Sequence, residues 1–376
     1  MSAPDLSEAA ETLLAAAQAL LDTAAALKTP ALCAAVSEIS TSNRSIEGGV
    51  LTPLISLSSR LLNADLNAKA LGVGTDHAQE VVPLFFPLGL RSPDGSAILG
   101  REGYLFLIGG SNDVLSQYDQ SAEVEGPCRA WMSILAARIS RASVLGMQFV
   151  QTVIPEKITI ISDLFPTEIA TPTPLLSLLE AEIAQTAMSR NYVSCLRAFG
   201  SAEQPKALVR RADSHLSPLG TFTVFRELVL RLTGKHVGPF EFSRVANRLG
   251  DLSLRMMGSF NVDQFLEVDP RDLPDFVGNA ARVSENSAGP GRVTGTMQVW
   301  ENPHAPFGQT VVAFGNSYFS VAENGQPALS WWFSRWFKKF VFVWTNEVDF
   351  DFAEHWKADV VIWQGNERFL RILPGA

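Results

Sequence analysis

The feature that most constrains the fold is an alternation of strand-like and helix-like runs near the end of the chain. QTVVAFG, FVFVWTN and ADVVIWQ are short apolar runs typical of buried strands. Between them, PALSWWFSRWFKK and DFDFAEHWK have the composition of helices. This order predicts βαβ units and a parallel sheet, in which ligands bind beyond the carboxyl ends of the strands.

A similar alternation begins near residue 95. The runs YLFLIG, MQFVQTVIP and NYVSCLRAF predict strands, ALVRRA predicts a strand or an extended run, and TPLLSLLEAEIAQTAMSR and PLGTFTVFRELVLRLTG predict helices. Residues 236–308 are rich in loop-forming residues and predict a lid, an insertion or a small subdomain. We therefore predict an α/β domain over residues 95–376 with a loop-rich insertion at 236–308.

Residues 1–65 predict a helical N-terminal extension. SEAAETLLAAAQALLDTAAALK is rich in Ala and Leu at helical spacing, with acidic residues on the opposite face. The segment lacks the basic start of a signal peptide, and no run in the chain has the roughly 20 apolar residues of a membrane span. These patterns predict a cytoplasmic protein that associates with itself or with a pathway partner through the N-terminal helices.

Composition and charge exclude several classes of function. The chain has 376 residues, a formal net charge of −9 and 47% hydrophobic residues, which indicates a globular protein without the basic surface that nucleic acid requires. Cys33, Cys128 and Cys195 are scattered, so we expect reduced thiols and no zinc site. The sequence has no phosphate-binding glycine loop, and we expect neither a metal nor an organic cofactor.

Two short motifs could together supply a catalytic triad. Ser317 follows the predicted strand TVVAF in the turn GNSYFS, where Gly315 permits a tight turn and the serine N–H can face an oxyanion. Asp213 and His215 form an Asp-x-His motif, in which the carboxylate would orient the imidazole that activates the serine. Each residue also has an ordinary alternative: Asp213 as a helix cap, His215 as a structural histidine and Ser317 as a turn residue.

Several segments resemble the SGNH-hydrolase-like alginate O-acetyltransferase family. DSHLSPLG is similar to the family's Asp-x-His-Trp-x-x-x-Gly element, and GNS stands where the family has Gly-Asp-Ser or Gly-Thr-Ser. GREGYLFLIGGSNDVLSQY, VIPEKITIISDLFP, GDLSLRM and KADVVIWQGNERFL resemble further family elements, in family order. The resemblance implies an SGNH-like, mostly parallel sheet with Ser317 as nucleophile, His215 as general base and Asp213 as its orienting partner.

The chain departs from the family pattern at three positions. Asn316 stands where the commoner motif has Asp, Leu216 replaces the Trp after the histidine, and Tyr104 replaces the Trp of the opening strand. For the oxyanion we consider Gly315 and Asn316 in the nucleophile turn, together with Asn112 in GGSNDV, which resembles the Asn block of ordinary SGNH hydrolases.

Other side chains have weaker claims to a role in the site. His304 is a backup base, and Trp332, Trp336 and Phe340 could form a sugar-stacking face, although packing on the sheet explains them as well. Four charged residues could contact substrate or form structural pairs: Lys157, Asp163, Glu367 and Arg368.

The function implied is serine-dependent acyl transfer to carbohydrate hydroxyls, most specifically glycan O-acetylation with an acyl donor that the sequence does not identify. A carbohydrate esterase would use the same triad, because water and a sugar hydroxyl attack an acyl-enzyme by the same chemistry. A non-catalytic glycan-binding or assembly protein that keeps the fold is the third alternative. The family acts in the periplasm, in contrast to the cytoplasmic location predicted from the missing export signal.

Overall fold

The structure is a computed structural model that describes residues 88–110, 112–256, 262–287, 293–319 and 325–374. The predicted extension 1–65 lies outside these residues, as does Cys33. Eleven strands occur in the described ranges: β1 Ala97–Leu99, β2 Leu105–Leu107, β3 Gln148–Ile154, β4 Tyr192–Ser194, β5 Phe242–Leu249, β6 Val262–Val268, β7 Ala281–Asn286, β8 Met297–Glu301, β9 Phe307–Gly315, β10 Phe337–Trp344 and β11 Val360–Asn366. Seven α-helices accompany them: α1 Glu125–Val144, α2 Lys157–Ile160, α3 Pro174–Ala184, α4 Cys195–Gly200, α5 Pro218–Thr233, α6 Leu329–Trp336 and α7 Phe350–His355.

A seven-stranded sheet in the order β4-β3-β11-β9-β10-β8-β7 forms the centre of the molecule. The first five strands of that order are parallel, and β8 and β7 continue the sheet antiparallel. The mostly parallel α/β sheet predicted from the sequence is therefore confirmed. The carboxyl ends of β3, β11 and β9 lie side by side, which creates one shared edge for the residues that follow them.

Helices cover both faces of the sheet. On one face, α1 and α3 pack through Trp131, Leu135 and Leu179 among others. On the other face, α5 and α6 pack through Phe225 and Trp332. The strands carry apolar side chains to both sides, which explains their nearly continuous hydrophobic runs.

The residues at the two ends of helix α5 explain where the helix begins and ends. Ser217 accepts a hydrogen bond from the Gly220 N–H at 3.1 Å, Pro218 occupies the first turn, and Gly234 ends the helix with φ +68°. Gly220 is required by close packing, because a Cβ there would lie 2.0 Å from the Leu208 carbonyl oxygen. The helix start is thereby fixed beside the segment that carries Asp213 and His215.

The range 236–308 contains more regular structure than its composition indicates. It holds β5 and β6, which pair as a two-stranded antiparallel ribbon, and β7 and β8, which extend the main sheet. Its strands are rich in charged and polar residues, such as SRVANRL and ARVSEN, and this masked their β character. Residues 236–308 are thus partly an edge of the central sheet and partly a separate ribbon.

YLFLIG contributes the predicted short strand, β2, which pairs with β1 in a small ribbon outside the main sheet. Two local predictions differ from the structure. NYVSCLRAF is a strand only over its first part and continues as α4. ALVRRA has no regular strand; Val209 makes an isolated bridge to Leu216, which closes the loop between them.

Two further expectations can be compared with the described residues. Cys128 and Cys195 are buried free thiols. Within the described ranges no helix is both long and apolar enough to cross a bilayer. The cytoplasmic and periplasmic locations both stay predictions.

Candidate active site

The candidate site lies where β3, β11 and β9 end. Glu156 and Lys157 follow β3, Glu367 and Arg368 follow β11, and the turn with Ser317 follows β9. The loop between Val209 and Leu216 reaches the same edge, since the Tyr318 hydroxyl donates to the Ser214 carbonyl at 3.0 Å. This is the position that a parallel sheet offers to a ligand.

Asp213 and His215 make the hydrogen bond that the Asp-x-His motif predicts. The distance from His215 Nδ1 to Asp213 Oδ1 is 2.7 Å, and the same oxygen accepts the His215 backbone N–H at 2.9 Å. Asp213 is buried, with 7% of its side chain exposed, and His215 is 23% exposed. The bond fixes Nδ1 as the protonated nitrogen when the ring is neutral and leaves Nε2 as the basic one.

The other oxygen of Asp213 is held by an arginine. Arg210 Nη1 lies 2.7 Å from Asp213 Oδ2, and Arg210 Nε lies 2.6 Å from Asp263 Oδ2. Burial raises the pKa of Asp213, but the hydrogen bond and charge of His215 and the charge of Arg210 outweigh it, so that the pKa lies well below its usual range. Asp213 is therefore an anion throughout the physiological pH range.

A second carboxylate, Asp251, approaches the histidine from the segment after β5. Its Oδ1 accepts the Ser214 N–H at 2.7 Å, its Oδ2 accepts the Ser214 hydroxyl at 2.6 Å, and its Oδ2 lies 3.8 Å from His215 Nδ1. The preceding Gly250 has no room for a side chain, because a Cβ would lie 1.9 Å from the Ala212 carbonyl oxygen. The close approach explains the Gly-Asp pair in GDLSLRM.

The serine turn after β9 is anchored from the neighbouring strand. The Asn316 N–H donates to Gln364 Oε1 at 3.3 Å, and Asn316 Oδ1 accepts the Tyr318 N–H at 3.3 Å. At Gly315 a Cβ would lie 2.9 Å from Gln364 Oε1 and from Phe319 Cδ2. Gly315 is thus required by a close approach, and the side-chain oxygen of Asn316 helps to shape the turn.

The structure brings the serine turn and the histidine loop together without a hydrogen bond between Ser317 and His215. The rings of Tyr318 and His215 pack with centroids 5.1 Å apart, and Ser317 directly precedes that tyrosine. His215 Nε2 is buried and has no hydrogen-bond partner among the described residues. Nε2 is thus buried without a partner in a ring that packs on Tyr318, and the triad with Ser317 stays a prediction.

The remaining oxyanion candidate, Asn112, lies on the loop after β2. Its carbonyl oxygen accepts Gln117 Nε2 at 2.7 Å, and the same amide donates to the Arg368 carbonyl at 2.9 Å. Gln117 therefore ties the Asn112 backbone to the segment that follows β11. The role of the Asn112 side chain stays a prediction.

Glu156, Glu367 and Arg368 form a buried cluster behind the site. Arg368 Nη1 lies 3.0 Å from Glu156 Oε2, while Glu367 accepts the backbone N–H groups of Glu156 and Thr173, both at 2.8 Å. Burial raises the pKa of Glu367 to about 7, although these hydrogen bonds lower it. Glu367 and Arg368 therefore have different partners and do not pair with each other.

Lys157 is neither solvated nor open to substrate. Its ammonium donates to the Leu105 carbonyl at 2.8 Å and to the Arg211 carbonyl at 3.2 Å, and burial lowers its pKa to about 8 against the attraction of Asp263 and Asp213. Lys157 thus binds the backbone of the loop that carries Asp213, at Arg211. Asp163, by contrast, is exposed.

Two other sequence-based interpretations are corrected by the fold. His304 precedes β9 whereas Ser317 follows it, so the nine-residue strand at about 3.3 Å per residue separates them and His304 cannot act as its base. Trp332, Trp336 and Phe340 do not form one helical face, because α6 ends at Trp336 and Phe340 belongs to β10. All three are buried in the core, as the packing alternative predicted.

Asp213, His215 and Asp251 bring donor atoms within 4.8 Å of one another, the spacing of a potential metal site. Both Asp213 oxygens already accept a strong donor, one from His215 and one from Arg210. A cation bound there would lie against the Arg210 guanidinium and would compete for the oxygens that it holds. We therefore interpret the group as a hydrogen-bonded cluster of side chains.

Sequence reasoning missed the residues that support Asp213. Arg210 and Asp263 are separated along the chain, and neither belongs to a recognisable motif. The sequence does contain a signal for Asp251, since GDLSLRM resembles a family element. The contacts of Asp263 depend on the path of the β5–β6 ribbon, which no local pattern specifies.

The similarity of this chain to known proteins is a similarity of fold. No family model matches the chain, and no curated protein matches it significantly. Among solved structures, Bacillus cereus PatB1 is similar with a TM-score of 0.50 at 12% identity over 73% of this chain and 96% of that chain. A second PatB1 structure, with a sulfonyl adduct, has the same TM-score at 13% identity and the same coverage.

The O-acetyltransferase domain of Pseudomonas putida AlgJ is also similar, with a TM-score of 0.47 and 16% identity over 74% of this chain and 92% of that domain. The comparison with PatB1 covers most of both chains and agrees with the family resemblance found in the motifs. The structure therefore confirms that resemblance at the level of the fold, which this chain shares with PatB1.

Proposed function

We propose that the chain is an SGNH-like enzyme that transfers an acyl group, specifically acetyl, to carbohydrate hydroxyls through Ser317, His215 and Asp213. The observation that carries the proposal is the buried Asp213–His215 hydrogen bond of 2.7 Å, with the unpartnered Nε2 beside the turn that contains Ser317. A histidine oriented in this way and placed at the end of parallel strands is equipped to activate a neighbouring serine.

Acyl transfer would proceed in two steps, acylation of Ser317 and transfer to the acceptor, each with a proton carried by His215 Nε2. His215 Nε2 takes the proton of the Ser317 hydroxyl as the serine oxygen attacks the carbonyl carbon of the donor. When the tetrahedral intermediate collapses, the leaving group takes that proton and the acyl group remains on Ser317. The acceptor hydroxyl then gives its proton to Nε2 and attacks the ester, and Ser317 recovers its proton as it leaves.

The negative charge of each tetrahedral intermediate needs donors near Ser317. The Ser317 N–H makes no hydrogen bond to the rest of the described chain, and we assign it as the first donor. The Asn316 side chain would be the second, and Asn112 is the alternative from the opposite loop. Each such donor is worth about 10²–10³ in kcat in a well-studied hydrolase.

Asp213 would contribute orientation and charge. Its low pKa keeps it anionic when His215 becomes an imidazolium, so the ion pair forms within a site that is already organised. The ion pair of Arg210 with the other oxygen would hold the carboxylate against rotation away from the ring.

The sequence resemblance supports a carbohydrate acceptor, and PatB1, which shares the fold, has been captured with a sulfonyl adduct. Sulfonylation is the chemistry of an activated nucleophile, which we propose for Ser317. An esterase with the same residues would pass the acyl group to water instead.

The test measures where acetyl goes. The full chain is incubated with an activated acetyl ester and a panel of oligosaccharides, and acetylated glycan and free acetate are both quantified. We expect Ser317-dependent transfer to glycan that exceeds hydrolysis, and loss of both products in Ser317→Ala. Release of acetate alone would identify an esterase, and equal product from wild type and Ser317→Ala would contradict the proposal.

A further inference from the structure

The β5–β6 ribbon contacts the loop of residues 209–216 through the buried carboxylate of Asp263. Asp263 on β6 is completely buried, and its Oδ1 accepts the backbone N–H groups of Arg211 at 2.8 Å and Ala212 at 3.2 Å. Its Oδ2 lies 2.6 Å from Arg210 Nε. One side chain of the ribbon thus holds the backbone just before Asp213 and, through Arg210, the Asp213 carboxylate itself.

Arg210 lies against two carboxylates and an aromatic ring. Its side chain is 9% exposed, it bridges Asp213 and Asp263, and its guanidinium lies 4.9 Å from the centre of the Phe265 ring on the same ribbon. A planar guanidinium with two carboxylates and an aromatic face has little freedom to rotate. The Asp213 carboxylate is therefore held from the side opposite His215.

We propose that Arg210 and Asp263 are positioning residues, which hold the Asp213 carboxylate so that its Oδ1 faces His215 Nδ1 and which set the charge that the imidazole experiences. This inference rests on the proposed function for its catalytic meaning, but its geometry does not depend on turnover. It also gives the β5–β6 ribbon a role: the ribbon is the support of the histidine loop.

The charge around His215 is a balance of several groups. They are Asp213 and Arg210 on its own loop, Asp251 after β5, Asp263 on β6, Lys157 on α2 and Tyr318 after β9, with Glu156 and Arg368 beyond Tyr318. Three carboxylates (Asp213, Asp251 and Asp263) and three cations (Arg210, Arg211 and Lys157) lie on the loop or contact it. Removal of one cation should therefore favour the imidazolium, and removal of one carboxylate should disfavour it.

The two positioning residues have opposite charges, so their variants should shift the titration of His215 in opposite directions. Arg210→Met should raise the titration midpoint of the imidazole by about one pH unit, and Asp263→Asn should lower it by a similar amount. A residue that stabilises the fold without an electrostatic effect at His215 would move neither midpoint. Arg211→Met is the matched control: the Arg211 guanidinium lies over the Tyr104 ring, whereas that of Arg210 lies on Asp213, so the shift in Arg211→Met should be the smaller one.

The measurement is an NMR titration of the full chain with ¹⁵N-labelled histidine, in which His215 is assigned by its absence in His215→Ala. The Nδ1–H resonance reports the hydrogen bond to Asp213, and we expect it to be lost or strongly shifted in Arg210→Met and retained in Arg211→Met. Asp263→Asn has the same shape as the native residue and keeps the test available if Arg210→Met does not fold.

Unchanged midpoints in both folded variants, or shifts of the same sign, would overturn the inference. Because the titration requires no turnover, it distinguishes this inference from the proposed function. A protein that fails to transfer acetyl but shows the two opposite shifts would refute the function and leave the positioning role intact.

Discussion

Asp213 divides its two oxygens between a base and a support, and this division is the central feature of the site. Oδ1 lies 2.7 Å from His215 Nδ1, and Oδ2 lies 2.7 Å from Arg210 Nη1. Asp213→Asn should keep the fold but lower kcat strongly, because the amide can select the wrong imidazole tautomer; the analogous change in a serine protease costs about 10⁴ in kcat. Steady-state kinetics on an activated ester tests this, and unaltered kcat in pure, folded Asp213→Asn would remove Asp213 from the mechanism.

Gly315 determines whether the serine turn can approach β11. An alanine Cβ would lie 2.9 Å from Gln364 Oε1 and Phe319 Cδ2, so Gly315→Ala should destabilise the protein by about 1–3 kcal/mol and displace Ser317. Gly308 on the same strand is the matched control, since nothing lies within 4 Å of a Cβ there. Urea unfolding of both variants gives the comparison, and equal free energies of unfolding would contradict the close approach.

The residues of the site differed in how well the sequence could predict them. The Asp213–His215 contact is local in the chain, so the motif was sufficient to predict it. Arg210 and Asp263 meet only because β6 passes beside the loop, and that path depends on tertiary packing. The partner of Lys157 was also beyond sequence reasoning, because its ammonium binds backbone carbonyls, which no residue pattern encodes.

Among the elements, Trp332 and Trp336 of α6 pack in the core and do not form a sugar-stacking face. Trp332 is completely buried, lies 5.7 Å from Phe225 between ring centres and donates its indole N–H to the Gln326 carbonyl at 2.9 Å. Trp332→Ala should therefore lower the free energy of unfolding by about 3–5 kcal/mol. Trp331→Ala, at a partly exposed position, should cost less. Thermal denaturation measures both, and an equal loss would contradict the packing of α6.

At the same scale, the strands of the parallel sheet were predictable and those of residues 236–308 were not. β11, the second half of β9 and the middle of β10 are buried on both faces, which produces clear apolar runs. β7 is exposed along its whole length, so neither burial nor alternation marked it in the sequence. The edge of the sheet was thus predicted less well than its centre because fewer of its side chains contribute to the core.

For the molecule as a whole, the buried Glu367 predicts how stability depends on pH. Its pKa is about 7 in the folded protein against 4.5 for an ordinary glutamate, so the folded state keeps a proton that the unfolded chain releases. The stability from this group is complete below about pH 4.5 and is lost as the pH rises through 7, at up to about 1.4 kcal/mol per pH unit. The free energy of unfolding of wild type, taken relative to that of Glu367→Gln, should therefore fall as the pH rises between these values. A constant difference between the two proteins would contradict the assignment.

The predicted extension 1–65 can be tested by its removal. The residues of the proposed triad all lie after residue 200, and the central sheet has a core of its own. A chain without residues 1–65 should keep its reactivity toward acyl probes and change its oligomeric state in solution. Light scattering measures that state; an unaltered mass would exclude self-association through the extension, and failure to fold would make the extension part of the core.

The most direct test of the account is covalent labelling of the folded full chain with a fluorophosphonate, followed by peptide mass spectrometry. We expect one adduct on Ser317, with labelling slowed strongly in His215→Ala and Asp213→Asn, because the serine oxygen attacks phosphorus only when Nε2 takes its proton. An unlabelled folded protein, an adduct on another serine, or equal labelling of wild type and His215→Ala would contradict the assignment of Ser317 as a nucleophile activated by His215.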